Sequence, residues 1–100
     1  AGSFKTMDGT LSNTTSGAAN TAVTFGNNSG TYIVTATLSG TGAPSTDNAV
    51  AIICVNGSAT AQTNLKTGSN MVISMSSLAL QMTQTIFTGA NVNWTVMRLS

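Results

Sequence analysis

Residues 30–39 read Gly30-Thr31-Tyr32-Ile33-Val34-Thr35-Ala36-Thr37-Leu38-Ser39. Tyr32, Val34, Ala36 and Leu38 alternate with Thr31, Ile33, Thr35 and Thr37, and a two-residue period puts each set on its own face of a strand. One set is apolar throughout, so it predicts a strand with one face on a core. Residues 92–99 repeat the alternation: Val92, Trp94 and Val96 lie on one side and Thr95, Met97 and Leu99 on the other. Large apolar groups on both faces predict a strand covered twice, by its own core and by a neighbouring subunit.

Shorter strand candidates lie at 4–7, 22–25, 49–55, 59–64 and 71–77, and at 78–87 with an interruption near Gln84. Turn chemistry separates them: Asp8-Gly9, residues 26–30, residues 40–44, Asn56-Gly57, Gly68-Ser69-Asn70 and Gly89-Ala90-Asn91. Asn56-Gly57 is the strongest of these, the expected centre of a type I′ turn joining two strands in register. Residues 77–82 contain good helix formers behind a possible Ser77 cap. Six residues are too few for a stable helix, so they count as strand. Residues 11–21 are small or polar apart from Leu11 and form a long loop. About eight strands at roughly ten-residue spacing predict an all-β antiparallel sandwich or barrel.

Composition narrows the possible functions. The chain has 100 residues, of which five are charged (Lys5, Asp8, Asp47, Lys66 and Arg98), and its net charge is +1. An ordinary domain is about one-quarter charged. Polarity comes instead from 18 Thr, 12 Ser, 10 Asn and 3 Gln. Three scattered cations cannot form the phosphate-neutralising stripe of a nucleic-acid binder, nor a polybasic membrane patch. The longest apolar run, residues 49–55, falls far short of the ~20 residues of a membrane span. Size predicts one core, hence one domain over residues 1–100. Small domains usually carry a net charge of magnitude ~2–8, which keeps copies apart. With almost none, the chain is expected to form a symmetric oligomer that hides apolar surface between copies. A lone Cys54 forms no internal disulfide, which fits folding in a reducing cytoplasm.

Catalytic chemistry finds little support. Proton transfer near neutral pH calls for His or paired carboxylates; there is no His, and the two acids, Asp8 and Asp47, are far apart in the sequence. No cluster with metal-ligand spacing occurs, so neither a metal nor a cofactor is expected. Cys54, between Ile53 and Val55, reads as a small buried core residue, since no nearby cation would activate it. Trp94 reads as core or subunit interface before sugar platform. Lys5 and Arg98, near the two ends, read as a solvated rim. The four Asn-x-Ser/Thr triplets, at Asn13, Asn27, Asn56 and Asn93, are no more than such a composition produces by chance.

Gly30-Thr31-Tyr32-Ile33-Val34-Thr35-Ala36 is similar to the G-x-Y strand of tumour-necrosis-factor-like and complement globular-head jelly rolls. Residues 50–57, ending in Asn56-Gly57, resemble a strand and hairpin turn of that family. Residues 93–99 resemble its final strand. The resemblance spans about residues 22–99, and Ser/Thr/Asn/Gly-rich versions of the fold resemble the C-terminal head domains of bacteriophage tail fibres and receptor-binding proteins. It implies a jelly-roll sandwich of about eight strands assembled as a homotrimer on the virion surface. It also implies recognition of a host-surface glycan or protein, without enzymatic activity. The low aromatic content and the lack of acidic loop residues depart from the animal members, and argue against calcium binding and a cytokine-like role.

Strand parity then locates a candidate site. If eight strands alternate in direction, the loops around 8–21, 40–48, 65–70 and 88–91 gather at the end farthest from both termini. Asn13, Thr14, Ser45, Thr46, Asp47, Asn48, Lys66 and Asn70 would there offer amides, hydroxyls, one ammonium and one carboxylate to a saccharide. Two other readings compete: a capsid decoration or fibre protein that binds no receptor, and a secreted carbohydrate-binding module.

Overall fold

A computed structural model describes residues 6–26, 28–43 and 47–100. It contains eight strands: β1 (Thr6–Leu11), β2 (Asn20–Thr24), β3 (Gly30–Ser39), β4 (Asn48–Asn56), β5 (Ala59–Lys66), β6 (Met71–Ser76), β7 (Ala79–Gln84) and β8 (Asn91–Arg98). They form a five-stranded sheet in the order β1-β8-β3-β4-β5 and a three-stranded sheet in the order β2-β7-β6. Every pairing is antiparallel.

The alternation in β3 decides which face is inside. Tyr32, Val34, Ala36 and Leu38 are all buried, and they lie against the buried Val92, Trp94 and Val96 of β8 and Ala49, Ala51 and Ile53 of β4. The smaller sheet closes over them with Val23, Met71, Ile73, Leu80 and Met82. Phe25 packs on Tyr32 with ring centroids 4.7 Å apart and planes tilted by 41°. Fully burying side chains of this size contributes about 1.5–3 kcal/mol each, which makes this shared interior the main source of cohesion. At the open side, the Gln62 amide donates to the Ile73 carbonyl at 2.7 Å and ties β5 to β6 across the two sheets.

The strand order sharpens the expected topology. Strands β3, β4 and β5 follow one another across the large sheet, and β8 returns, after the β6–β7 hairpin of the other sheet, to lie beside β3. The two sheets make a sandwich in which β4 and β5 stay in the sheet of β3, so the strand order does not spell two interleaved Greek keys.

Several local expectations are revised. Asp8-Gly9 is not a turn but the middle of β1, with Gly9 opposite Trp94. A Cβ on Gly9 would stand 2.7 Å from Trp94 Cζ2, so this strand carries glycine because the indole lies across its backbone. Cys54 is exposed, contrary to the core reading. Its neighbours Ile53 and Val55 take the inward positions, and strand parity leaves the thiol on the outer face near the Thr31 hydroxyl at 3.8 Å. The β4–β5 hairpin pairs Asn56 with Ala59, so the turn residues are Gly57 and Ser58. Gly57 has φ 65° and Ser58 is not left-handed, which matches a type II′ turn rather than type I′. Residues 77–82 split in two: Ser77 and Leu78 turn the β6–β7 hairpin, with Ser77 at φ 54°, and β7 begins at Ala79. Strand β1 starts at Thr6 and runs to Leu11, and the remainder of the first strand candidate, Phe4 with Lys5, lies outside the described residues.

Candidate functional site

Four connections gather at one end of the sandwich: residues 12–19, the described residues 40–43 and 47 of the β3–β4 connection, and residues 67–70 and 85–90. The register fixes this. Leu11, Val92 and Ser39 lie together at that end of the large sheet, whereas Thr6 pairs with Met97 at the other. Ser100 lies at that far end too, where its carbonyl accepts from Thr31 N and from Arg98 Nε. The gathered loops are thus distal to the point where the chain leaves the last strand.

A buried amide organises the first half of this end. Gln84, the last residue of β7, is only 1% exposed. Its Nε2 donates to Thr14 Oγ1 at 2.9 Å, to the Phe87 carbonyl at 2.8 Å and to the Thr14 carbonyl at 3.3 Å. Its Oε1 accepts from Ile86 N at 2.8 Å and from Phe87 N at 3.4 Å. Thr14 Oγ1 donates to the Ala90 carbonyl at 2.7 Å, and backbone bonds Thr14 N to Ala90 O and Gly89 N to Thr14 O complete the clasp. Burial makes every unpaired group here costly, and the full set of partners holds loops 12–19 and 85–90 against each other.

Asp47 and Lys66 organise the second half. Asp47 is buried, and its Oδ2 accepts from Asn70 N at 2.9 Å, while Oδ1 has no hydrogen-bond partner. A Cβ on Gly68 would lie 2.5 Å from that Oδ1 and 3.1 Å and 3.2 Å from the carbonyls of Asn48 and Met71. Only glycine lets the 67–70 turn pass this close. Lys66 Nζ donates to the Asn48 carbonyl at 3.1 Å and to Asn48 Oδ1. The Asn70 carbonyl accepts from Thr85 N, which links this half to the 85–90 loop.

Of the residues singled out from sequence, Asn13 and Lys66 are exposed, and Asn48 and Asn70 are half-buried. Thr14 and Asp47 belong to the same end but lie beneath its surface, with their polar atoms turned to the loops they brace. Ser45 and Thr46 lie outside the described residues. Sequence reasoning missed Gln84 and Asn91. Asn91 Oδ1 accepts from Asn13 N at 2.8 Å and supports that residue at its φ of 54°. A lone Gln ending an apolar strand, the interruption noted near Gln84, was the available signal for the first.

Among the described residues no group of three or more His, Cys, Asp or Glu could hold a metal ion. No helix in them is long and apolar enough to cross a membrane. Among the described residues, this end exposes the neutral amide of Asn13 and the ammonium of Lys66.

No family model matches the sequence, and no curated protein matches it. Among solved structures, the fold is similar to part of the tailspike protein of Acinetobacter phage vB_ApiP_P1, with a TM-score of 0.57 at 14% sequence identity. The likeness covers 94% of this chain and 22% of that tailspike, so this β-sandwich corresponds in fold to about a fifth of a much longer viral protein.

Proposed function

We propose that the chain is a head domain of a bacteriophage fibre or tailspike, homotrimeric and carried on the virion surface, which binds a saccharide of the host surface without transforming it. The observation that carries this reading is the convergence of four loops at the end distal to Ser100, braced from beneath by Gln84, Thr14 and Asp47. A scaffold that spends buried hydrogen bonds on fixing loops presents their exposed amides in a set geometry, which lowers the ordering cost of binding. Asn13, Asn48, Lys66 and Asn70 would hold the sugar, and Ser45 and Thr46 are further ligands proposed from the sequence alone. The tailspike likeness in fold supports a viral setting.

The test is a glycan array with the purified chain, repeated with the double variant Asn13→Gly and Asn70→Ala. Glycine preserves the left-handed backbone at position 13 while removing the amide. Loss of two side-chain hydrogen-bonding groups at about 1 kcal/mol each should weaken binding roughly tenfold or more. An array without any bound glycan, or binding that the double variant leaves intact, would remove the saccharide reading. Adsorption of phage to host cells in the presence of excess free chain measures the attachment role directly: blocking supports it, and unimpeded adsorption speaks against it.

A further inference from the structure

The outer face of the large sheet carries an ordered charge pair. In antiparallel pairing, partnered residues point to the same side, so the rows across the sheet can be read from the register. One outward row runs Asp8, Thr95, Thr35, Val50, Lys66 from the β1 edge to the β5 edge. The next runs Thr6, Met97, Ile33, Ile52, Thr63. Acid and base thus stand at opposite edges of one row, with Thr95, Thr35 and Val50 between them and Met97, Ile33 and Ile52 in the row beside it. Among the described charged residues, Asp47 is buried and Arg98 half-buried with its Nη2 on the Ser29 carbonyl, whereas Asp8 and Lys66 are both exposed, Lys66 with its Nζ resting on Asn48 of the adjacent strand.

From this we infer that the face is covered by further copies of the same chain, the β1 edge of each meeting the β5 edge of the next in a closed ring of three. The inference rests on the trimer of the reading above and assigns its contact. Rotation about an axis parallel to the strands leaves every row at its own height. Asp8 of one copy therefore arrives level with Lys66 of its neighbour, and the same contact recurs at all three seams. The dimensions agree. Five strands at about 4.8 Å spacing, with one further spacing at the seam, make each side roughly 24 Å, and three such walls stand about 7 Å from the axis. Face-packed sheets lie about 10 Å apart, so each contributes about 5 Å of side chain, and Ile33, Ile52, Val50 and Met97 would narrow the centre to about 2 Å around an apolar axis. The low net charge that fails to keep single copies apart is then no liability.

Equilibrium sedimentation of the 100-residue chain tests this. The expected mass is about three times 10.1 kDa at micromolar concentration. Asp8→Lys and Lys66→Glu should each place like charges at every seam and raise the dissociation concentration roughly tenfold or more, and the double exchange should restore association. Ile52→Lys, which puts an ammonium into the apolar lining of the axis, should give a folded 10.1 kDa species, with folding checked by circular dichroism and Trp94 emission. A wild-type monomer at about 100 μM, a mass unmoved by Ile52→Lys and both charge reversals, or a folded double exchange that stays dissociated would each overturn the inference. The two claims separate cleanly. Glycan binding by a monomer would refute the ring and leave the attachment reading standing. A ring that binds no glycan and fails to block adsorption would do the reverse.

Discussion

Replacing Gln84 by Leu removes the polar group that joins loops 12–19 and 85–90 while roughly keeping its volume. The substitution takes away the acceptor of Ile86 N and Phe87 N and the donor to Thr14 Oγ1 and the Phe87 carbonyl. Some groups keep a partner: Gly89 N still reaches the Thr14 carbonyl, and Thr14 Oγ1 still donates to Ala90. The two amides are the groups left without one. An unsatisfied buried donor costs about 1–3 kcal/mol, and since Ile86 and Phe87 are half-buried the lower part of that range applies to each. The total is about 2–4 kcal/mol, a large share of the ~5–15 kcal/mol that holds a domain of this size together. Urea denaturation followed by Trp94 emission, at one fixed protein concentration, should show a lower midpoint with an unchanged slope. The accompanying fall in Tm should be at least about 8 °C. A loss under about 1 kcal/mol would refute the claim that this amide fixes the distal end.

Two further substitutions test the backbone assignments. Gly9→Ala sets a methyl 2.7 Å from Trp94 Cζ2, so the indole or β1 must move, at a cost of about 1–3 kcal/mol with a shift in Trp94 emission; thermal melts and fluorescence spectra check this, and an unperturbed protein would contradict the packing. Ser77→Gly relieves a left-handed serine in the β6–β7 turn and should raise stability by about 0.5–1 kcal/mol, whereas Gly57→Ala, which imposes the same strain on the β4–β5 turn, should lower it. Matched urea titrations should place the two midpoints on opposite sides of the wild type.

Much of this architecture was legible from residue order alone. The alternation in residues 31–38 named the buried face of β3 residue by residue, because a pleated strand sends neighbours to opposite sides whatever surrounds it. The same parity put the four loops at one end before any pairing was known. It misled where local chemistry has two meanings. Asp-Gly reads as a turn unless something large, here Trp94, must lie across the backbone. Cys54 reads as core until the register shows which members of the 49–55 run face inward. Residues 77–82, read as strand despite their helix formers, are divided by the pairing of Ser76 with Ala79 into a two-residue turn and the start of β7.

The sequence by itself determined that this is a neutral, two-sided β protein and which side chains of its central strand enclose the core, since those follow from covalent geometry and the aversion of apolar groups to water. Only the tertiary structure decided that Gln84 would clasp Thr14 across 70 residues, that Asp47 and Thr14 would lie beneath the distal surface, and that Asp8 and Lys66 would end the same row. Each of these depends on strand pairings between distant segments, and pairing is settled by competition among whole registers, which no local stretch encodes.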